Sequence, residues 1–123
     1  MRDTISDVFA ALGERTRRDI YEQLLGGANG RTATELASDA SISRQAIVKH
    51  LQVLVRANLA STRRDGKEVR YFAQRDGTVD ATRWLDERSV AWDQRLAALE
   101  ERVRASTKSP RANVSDGARH EFD

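Results

Sequence analysis

Apolar residues recur at helical spacing over most of the chain and switch to an alternating pattern once. Ile5, Val8, Phe9 and Leu12 stand at i, i+3, i+4 and i+7, which predicts a short helix over 4–12 ended by Gly13. A second helix over 15–25 turns Ile20, Tyr21 and Leu24 inward and leaves Arg17, Arg18 and Asp19 in solvent. Gly26-Gly27-Ala28-Asn29-Gly30 reads as a loop by composition. It is no phosphate cradle of the strand–loop–helix type, because no strand precedes it and no Lys-Ser/Thr follows. Thr32 and Glu35 have the spacing of a capping box and open a helix over 33–39 with Leu36 and Ala37 inward. A tight turn over 39–42 follows, and Ser43 is placed to cap the next helix.

That next helix, 43–58, has two unlike faces. On a wheel of about 100° per residue, Leu51, Leu54 and Asn58 cluster around Ile47, with Ser43 and His50 at the edge of the sector. Gln45, Lys49, Gln52 and Arg56 take the opposite side, with Val48 on its flank. Such a helix packs by one face and offers amide and cationic donors from the other, the chemistry that reads base edges and holds phosphates. A short helix, a tight turn and this helix make a helix-turn-helix pattern, with the small Ala37 where the two helices cross.

After Asn58, a candidate helix stop, the period falls to two. Residues 59–64 and 68–73 read as strands around Asp65-Gly66-Lys67, a strong hairpin signal. Val69 and Tyr71 share one face of the second strand, Arg70 and Phe72 the other. With Arg63, Arg64, Lys67 and Arg70 near its tip, the hairpin is suited to the phosphate backbone or the minor groove.

From Val79 to Arg104 a single long helix is predicted. Leu85, Trp92 and Leu99 stand at one heptad position, and Thr82, Ser89, Leu96 and Val103 at the other. A helix of about 26 residues spans roughly 39 Å, more than a domain this small covers with its own core. A seam with a second copy of the chain is the expected use, and packing of part of the helix on the first two helices is the other. Residues 105–123 hold the only proline and few apolar side chains, and are expected to form a disordered tail.

Composition narrows the chemistry. The 123 residues fit one domain, here 1–104 plus the tail, and contain no cysteine, which excludes disulfides and thiolate metal sites. No apolar run reaches membrane-spanning length, and the first residues lack the apolar stretch of a secretory signal, so a cytoplasmic protein is expected. The net charge is only +2, yet residues 41–75 hold eight Lys/Arg against Asp65 and Glu68. Positive charge gathered on one third of the chain points to a polyanionic partner. No glycine loop with lysine, no metal triad and no histidine beside a nucleophile is visible, so an enzyme is not expected.

Three blocks in order resemble the ArsR-type (arsenic-repressor-like) winged-helix transcriptional regulators of prokaryotes. They are Phe9 to Ile20 (FAALGERTRRDI), Glu35-Leu36-Ala37 followed by Ile42 to Leu54 (ISRQAIVKHLQVL), and Arg64 to Phe72 (RDGKEVRYF). Arg15 stands where the family usually has proline, and Ser41 where glycine is common in the turn. The Cys-x-Cys of metal-sensing members falls on Thr32-Ala33-Thr34, and the long helix has no histidine. The two histidines, His50 and His120, cannot assemble a transition-metal cluster within one chain, so no metal and no cofactor are expected.

The resemblance implies a mainly α fold with a small β-hairpin, a homodimeric winged helix-turn-helix with a long C-terminal helix. It further implies a repressor that binds a near-palindromic double-stranded operator. Arg44, Gln45, Val48 and Lys49 are then expected at bases, with Ser43, His50, Gln52 and Arg56 holding phosphates or positioning the helix. Arg63, Arg64 and Lys67 are expected as wing contacts. Ile5, Val8, Phe9, Leu85, Trp92, Leu96, Leu99 and Val103 are expected at the dimer interface. The rival expectation is a dimeric winged-helix interaction module that does not read DNA. The operator, the regulated genes and any inducer are not written in the sequence.

Overall fold

A computed structural model describes residues 3–107. The chain divides between Trp84 and Leu85 into two compact units. The first carries most of the secondary structure, and each boundary in it has a local cause.

Helix α1 (Thr4–Leu12) starts at Asp3, whose carboxylate accepts from the backbone N–H of Ile5 at 3.1 Å and of Ser6 at 3.3 Å. Helix α2 (Arg15–Gly26) starts at Glu14, which accepts from the Arg17 N–H at 2.8 Å. Between them lies a device the pattern hid. The Arg17 guanidinium donates to the carbonyls of Ala11 and Ala10, at 2.9 and 3.1 Å, and Arg18 donates to that of Leu12 at 2.7 Å. Two cations thus satisfy the orphan carbonyls at the end of α1. Arg17 is half-buried, not simply out in solvent.

A two-residue strand, β1 (Arg31–Thr32), precedes α3 (Ala33–Ala40). The capping box is present in both directions: Glu35 N–H donates to Thr32 Oγ1 at 3.1 Å, and Thr32 N–H to Glu35 Oε1 at 3.0 Å. The turn then passes through Ser41 with φ +58°, the left-handed region that glycine enters at least cost. Helix α4 (Arg44–Arg56) is capped by Ser43 Oγ, which accepts from the Ala46 N–H at 3.1 Å.

The end of α4 is a Schellman motif. Asn58 takes φ +59°, its N–H donates to Val55 O at 3.1 Å, and Leu59 N–H donates to Leu54 O at 2.9 Å. Leu54 and Leu59, the apolar pair such a motif brings together, are both fully buried. Leu59 therefore closes a helix and does not start a strand, and Asn58 lies exposed beyond the apolar stripe. The hairpin runs through β2 (Ala60–Asp65) and β3 (Glu68–Ala73), with β3 central and β1 on its other edge, all antiparallel. The β1 edge was not expected from the sequence.

The last element, α5 (Asp76–Ser106), begins three residues earlier than its periodicity suggests. Gln74 Oε1 accepts from the N–H groups of Arg75 and Asp76, at 2.7 and 3.2 Å. Gly77 is buried, donates to Asn58 O at 2.8 Å, and has no room for a side chain: a Cβ would stand 2.4 Å from Ala57 O. The start of α5 is thereby locked to the end of α4.

One core holds the first unit together. Val8, Ile20, Leu24, Leu36, Ile47, Leu51, Leu54 and Leu59 are fully buried in it, joined by small alanines including Ala57, Ala60 and Ala81. Each fully buried side chain of this size contributes about 1.5–3 kcal/mol relative to exposure. Val8 belongs to this core, so it is not available as a dimer contact; its stripe neighbours Ile5 and Phe9 remain partly and well exposed. The Phe9 ring meets Trp84 edge-on, with centroids 5.7 Å apart and planes at 72°.

The described part of the second unit is helix alone. Leu85, Trp92, Leu96, Leu99 and Val103 are all exposed there, Trp92 at 62%. Of the tail expected from 105, Ala105 and Ser106 are helical, while 108–123, with His120, lie outside the described residues.

Candidate nucleic-acid interface

Helix α4 owes its orientation to the three side chains it buries. Ile47, Leu51 and Leu54 anchor it against α1, α2, α3 and β2. The opposite face is then fixed: Arg44, Gln45, Lys49, Gln52 and Arg56 are all exposed. Arg44, Gln45 and Lys49 form no side-chain hydrogen bond or ion pair among the described residues. A row of exposed amide and cationic donors on a well-anchored helix suits major-groove edges and phosphates.

Three predicted members of that face stand differently. Ser43 is exposed, but its hydroxyl serves the helix cap. Val48 is half-buried and packs against the core, leaving only part of its side chain outward. His50 is also half-buried and lies within electrostatic reach of Glu14. The Glu14 carboxyl is held below the usual carboxylate range chiefly by the Arg17 backbone N–H, against a desolvation effect, with the charges of His50 and Arg17 adding. His50 is thus half-buried, unlike the exposed donors of this face.

The wing separates its arginines by the strand period. Cross-strand pairs Arg64↔Val69 and Thr62↔Tyr71 share one face, while Arg63↔Arg70 and Ser61↔Phe72 share the other. Thr62 and Tyr71 line an open groove of about 410 Å³ with Gln52, Val55 and Arg56 of α4. Arg64 shares the strand face of Thr62, but its side chain lines the cleft on the reverse side together with Arg63, and Lys67 is at the exposed tip. Arg63 lies over the Phe72 ring on the reverse side, 5.0 Å from its centroid. Arg70 is turned back on the molecule, pairing with Glu68 at 3.5 Å and Asp65 at 3.9 Å.

The helix donors thus share one exposed face, Arg64 and Lys67 are exposed near the tip of the wing, and Arg63 is held over the Phe72 ring. Thr62 and Tyr71 are polar lining that the charge-based reading passed over; the strand alternation that groups them with Arg64 was the available signal. Among the described residues no three His, Cys, Asp or Glu side chains form a group that could hold a metal ion. No helix among them is long and apolar enough to cross a membrane.

A tri-helical core with a helix-turn-helix and a basic wing defines a winged helix-turn-helix protein, and comparison with known proteins agrees. A family profile described as a helix-turn-helix domain matches residues 12–63. The chain is similar to the transcriptional repressor SdpR of Bacillus subtilis (strain 168), 32% identical over 81 residues that cover 66% of this chain and 88% of that protein. It is similar to a probable mercury resistance operon repressor of Streptomyces lividans, 39% identical over 69 residues, covering 56% of this chain and 54% of that one. Among solved structures it resembles an ArsR-like transcriptional regulator from Rhodococcus sp. RHA1, with a TM-score of 0.71 and 36% identity over 80% of this chain and 91% of that one. The chain belongs to the ArsR-like family of helix-turn-helix transcriptional regulators, a class of DNA-binding proteins and not of enzymes.

Proposed function

We propose that this protein is a cytoplasmic repressor that binds an inverted-repeat operator as a homodimer and responds to no metal ion. The observation that carries the reading is the outward row Arg44, Gln45, Lys49, Gln52 and Arg56, exposed on α4 and followed in the chain by a wing whose Arg64 and Lys67 are exposed. In this account Arg44, Gln45 and Lys49 face bases, with the exposed part of Val48 available for a thymine methyl. Gln52 and Arg56 hold phosphates, and Ser43 and His50 position the helix. Arg64 and Lys67 contact the backbone from the wing, and Arg63 is withdrawn from that set.

Dimerisation is supported by the exposed stripe Leu85, Trp92, Leu96, Leu99 and Val103, an apolar face that a soluble helix does not leave to water without a partner. Ile5 and Phe9 of α1, partly and well exposed in the first unit, are the further contacts assigned to the dimer. Metal independence is supported by donor chemistry. The chain has no cysteine, and Thr32 Oγ1, at a position where metal-sensing relatives of this type carry a thiolate, is committed to the α3 cap.

Genomic-fragment selection with the purified protein at two salt concentrations tests the reading. Recovery of one short inverted repeat, with half-sites about one helical turn or a multiple apart, is the expected result. Binding without sequence preference that collapses with salt would leave charge without readout. No binding at either salt from a folded dimer would favour the interaction-module reading instead.

A further inference from the structure

The reverse side of the wing carries a cleft of which the DNA reading uses only Arg64. It is open, about 840 Å³, and lies between the loop over 27–31 and a wall formed by Glu35, Arg63, Arg64, Asp65, Arg70 and Phe72. With Arg31 from the loop, four guanidinium groups face two carboxylates. The carboxylates are already engaged: Arg31 lies 3.7 Å from Glu35 and 2.7 Å from Asp39, and Arg70 lies 3.9 Å from Asp65. The uncompensated charge therefore belongs to Arg63 and Arg64, neither of which has an acceptor among the described residues.

The cleft is also braced. Arg70 donates to the carbonyls of Asn29 and Gly30, both at 3.4 Å, tying the loop to β3. The Phe72 ring is seated on Gly30, where a Cβ would stand 2.7 Å from the ring and where φ is +75°. On that platform the Arg63 Cζ lies 5.0 Å from the ring centroid, and its N–H groups have no acceptor among the described residues. A guanidinium whose N–H groups have no acceptor of their own can bind an oxyanion through two parallel hydrogen bonds.

We propose that this cleft is a phosphate-class oxyanion site in which Arg63 is the bidentate donor and Arg64 the second cation. The anion has two possible sources: a phosphodiester of DNA flanking the operator half-site, or a free phosphorylated compound. The site lies outside the base-reading surface, and its first test needs no DNA.

Isotope-labelled full-length protein is titrated with inorganic pyrophosphate at constant ionic strength, and the backbone amide and arginine Nε–H signals are followed. The expected result is saturable shifts at Gly27, Ala28, Asn29, Arg31 and the Arg63 Nε–H, with affinity at least ten-fold lower in Arg63→Gln. Phe72→Leu, which removes the platform but keeps the charge, should weaken binding as well. Non-saturable shifts, shifts confined to α4 and Lys67, or equal affinity in Arg63→Gln would overturn the proposal.

Duplexes recovered by the selection above, with short and extended flanks, then distinguish the sources. If DNA supplies the anion, Arg63→Gln weakens only the extended duplex and pyrophosphate competes with it. If a free compound does, Arg63→Gln leaves both duplex affinities unchanged and pyrophosphate still binds the DNA complex. Failure to recover any operator while pyrophosphate binds would count against the DNA reading and leave the anion site standing.

Discussion

Helices α4 and α5 carry apolar stripes of similar spacing and opposite fate. In α4, Ile47, Leu51 and Leu54 are fully buried, and the outward positions opposite them are polar or charged. In α5 beyond Trp84, Leu85, Trp92, Leu96, Leu99 and Val103 are all exposed, among charges of both signs. The first helix has its hydrophobic demand met inside its own unit, so what remains at its surface is hydrogen-bonding capacity. The second has its hydrophobic demand unmet, so what remains is a request for another apolar face. In the proposed reading the same periodicity thus serves a polyanion in one case and a second copy of the chain in the other.

Substitutions separate the two roles. Leu51→Ala removes a fully buried anchor of α4 and should cost about 2–5 kcal/mol in urea unfolding, with DNA binding lost as the unit opens. The double change Leu96→Glu, Leu99→Glu should behave in the opposite manner. Sedimentation should show a monomer, the circular dichroism of the first unit should persist, and operator affinity should fall by about 100-fold as bivalency is lost. If the double variant remained dimeric, the α5 stripe would have another use.

Smaller effects act on the frame around α4. Ser41→Gly relieves a left-handed serine in the turn and should raise stability by about 0.5–1 kcal/mol, read as a shifted denaturation midpoint with unchanged slope. The smallest effect concerns the α2 cap. Because folding lowers the Glu14 pKa below its ordinary 4.5, its contribution is present above that value and is lost as pH falls through the folded one. Glu14→Gln keeps an acceptor for the cap but removes the titration, so the acid limb of a stability–pH curve should become shallower.

Much of the first unit was legible because its signals are local. The Thr32–Glu35 box, the Ser43 cap, the Ile47–Leu51–Leu54 stripe and the Asp-Gly hairpin each depend on residues within one or two turns of one another. What escaped depends on distant partners. Ile5, Val8 and Phe9 share one stripe, and only the packing of α1 decides that Val8 goes fully inside while Phe9 stays out to meet Trp84. Strand β1 is two residues long and exists because Tyr71 and Arg70 lie alongside it, far along the chain. The early start of α5 follows from the fit of Gly77 under Ala57, a distant partner, and from the Gln74 side chain, a local cap that has no periodicity.

The proposed interface shows the same division. The outward face of α4 follows from its own wheel, so Arg44, Gln45, Lys49, Gln52 and Arg56 were named from sequence and are exposed. Arg63 and Arg64 are adjacent and chemically identical, and charge counting treats them alike. Strand pairing puts them on opposite faces, and the Phe72 ring then claims Arg63.

The central claim is that the outward face of α4 reads sequence. Relative affinities of Gln45→Ala and Lys49→Ala for a set of single-base operator variants, measured at two salt concentrations, test it most directly. The account predicts that Gln45→Ala flattens discrimination at one position by about 1–3 kcal/mol while Lys49→Ala weakens all variants alike and lowers the salt slope by about one. Unchanged discrimination in Gln45→Ala would contradict it.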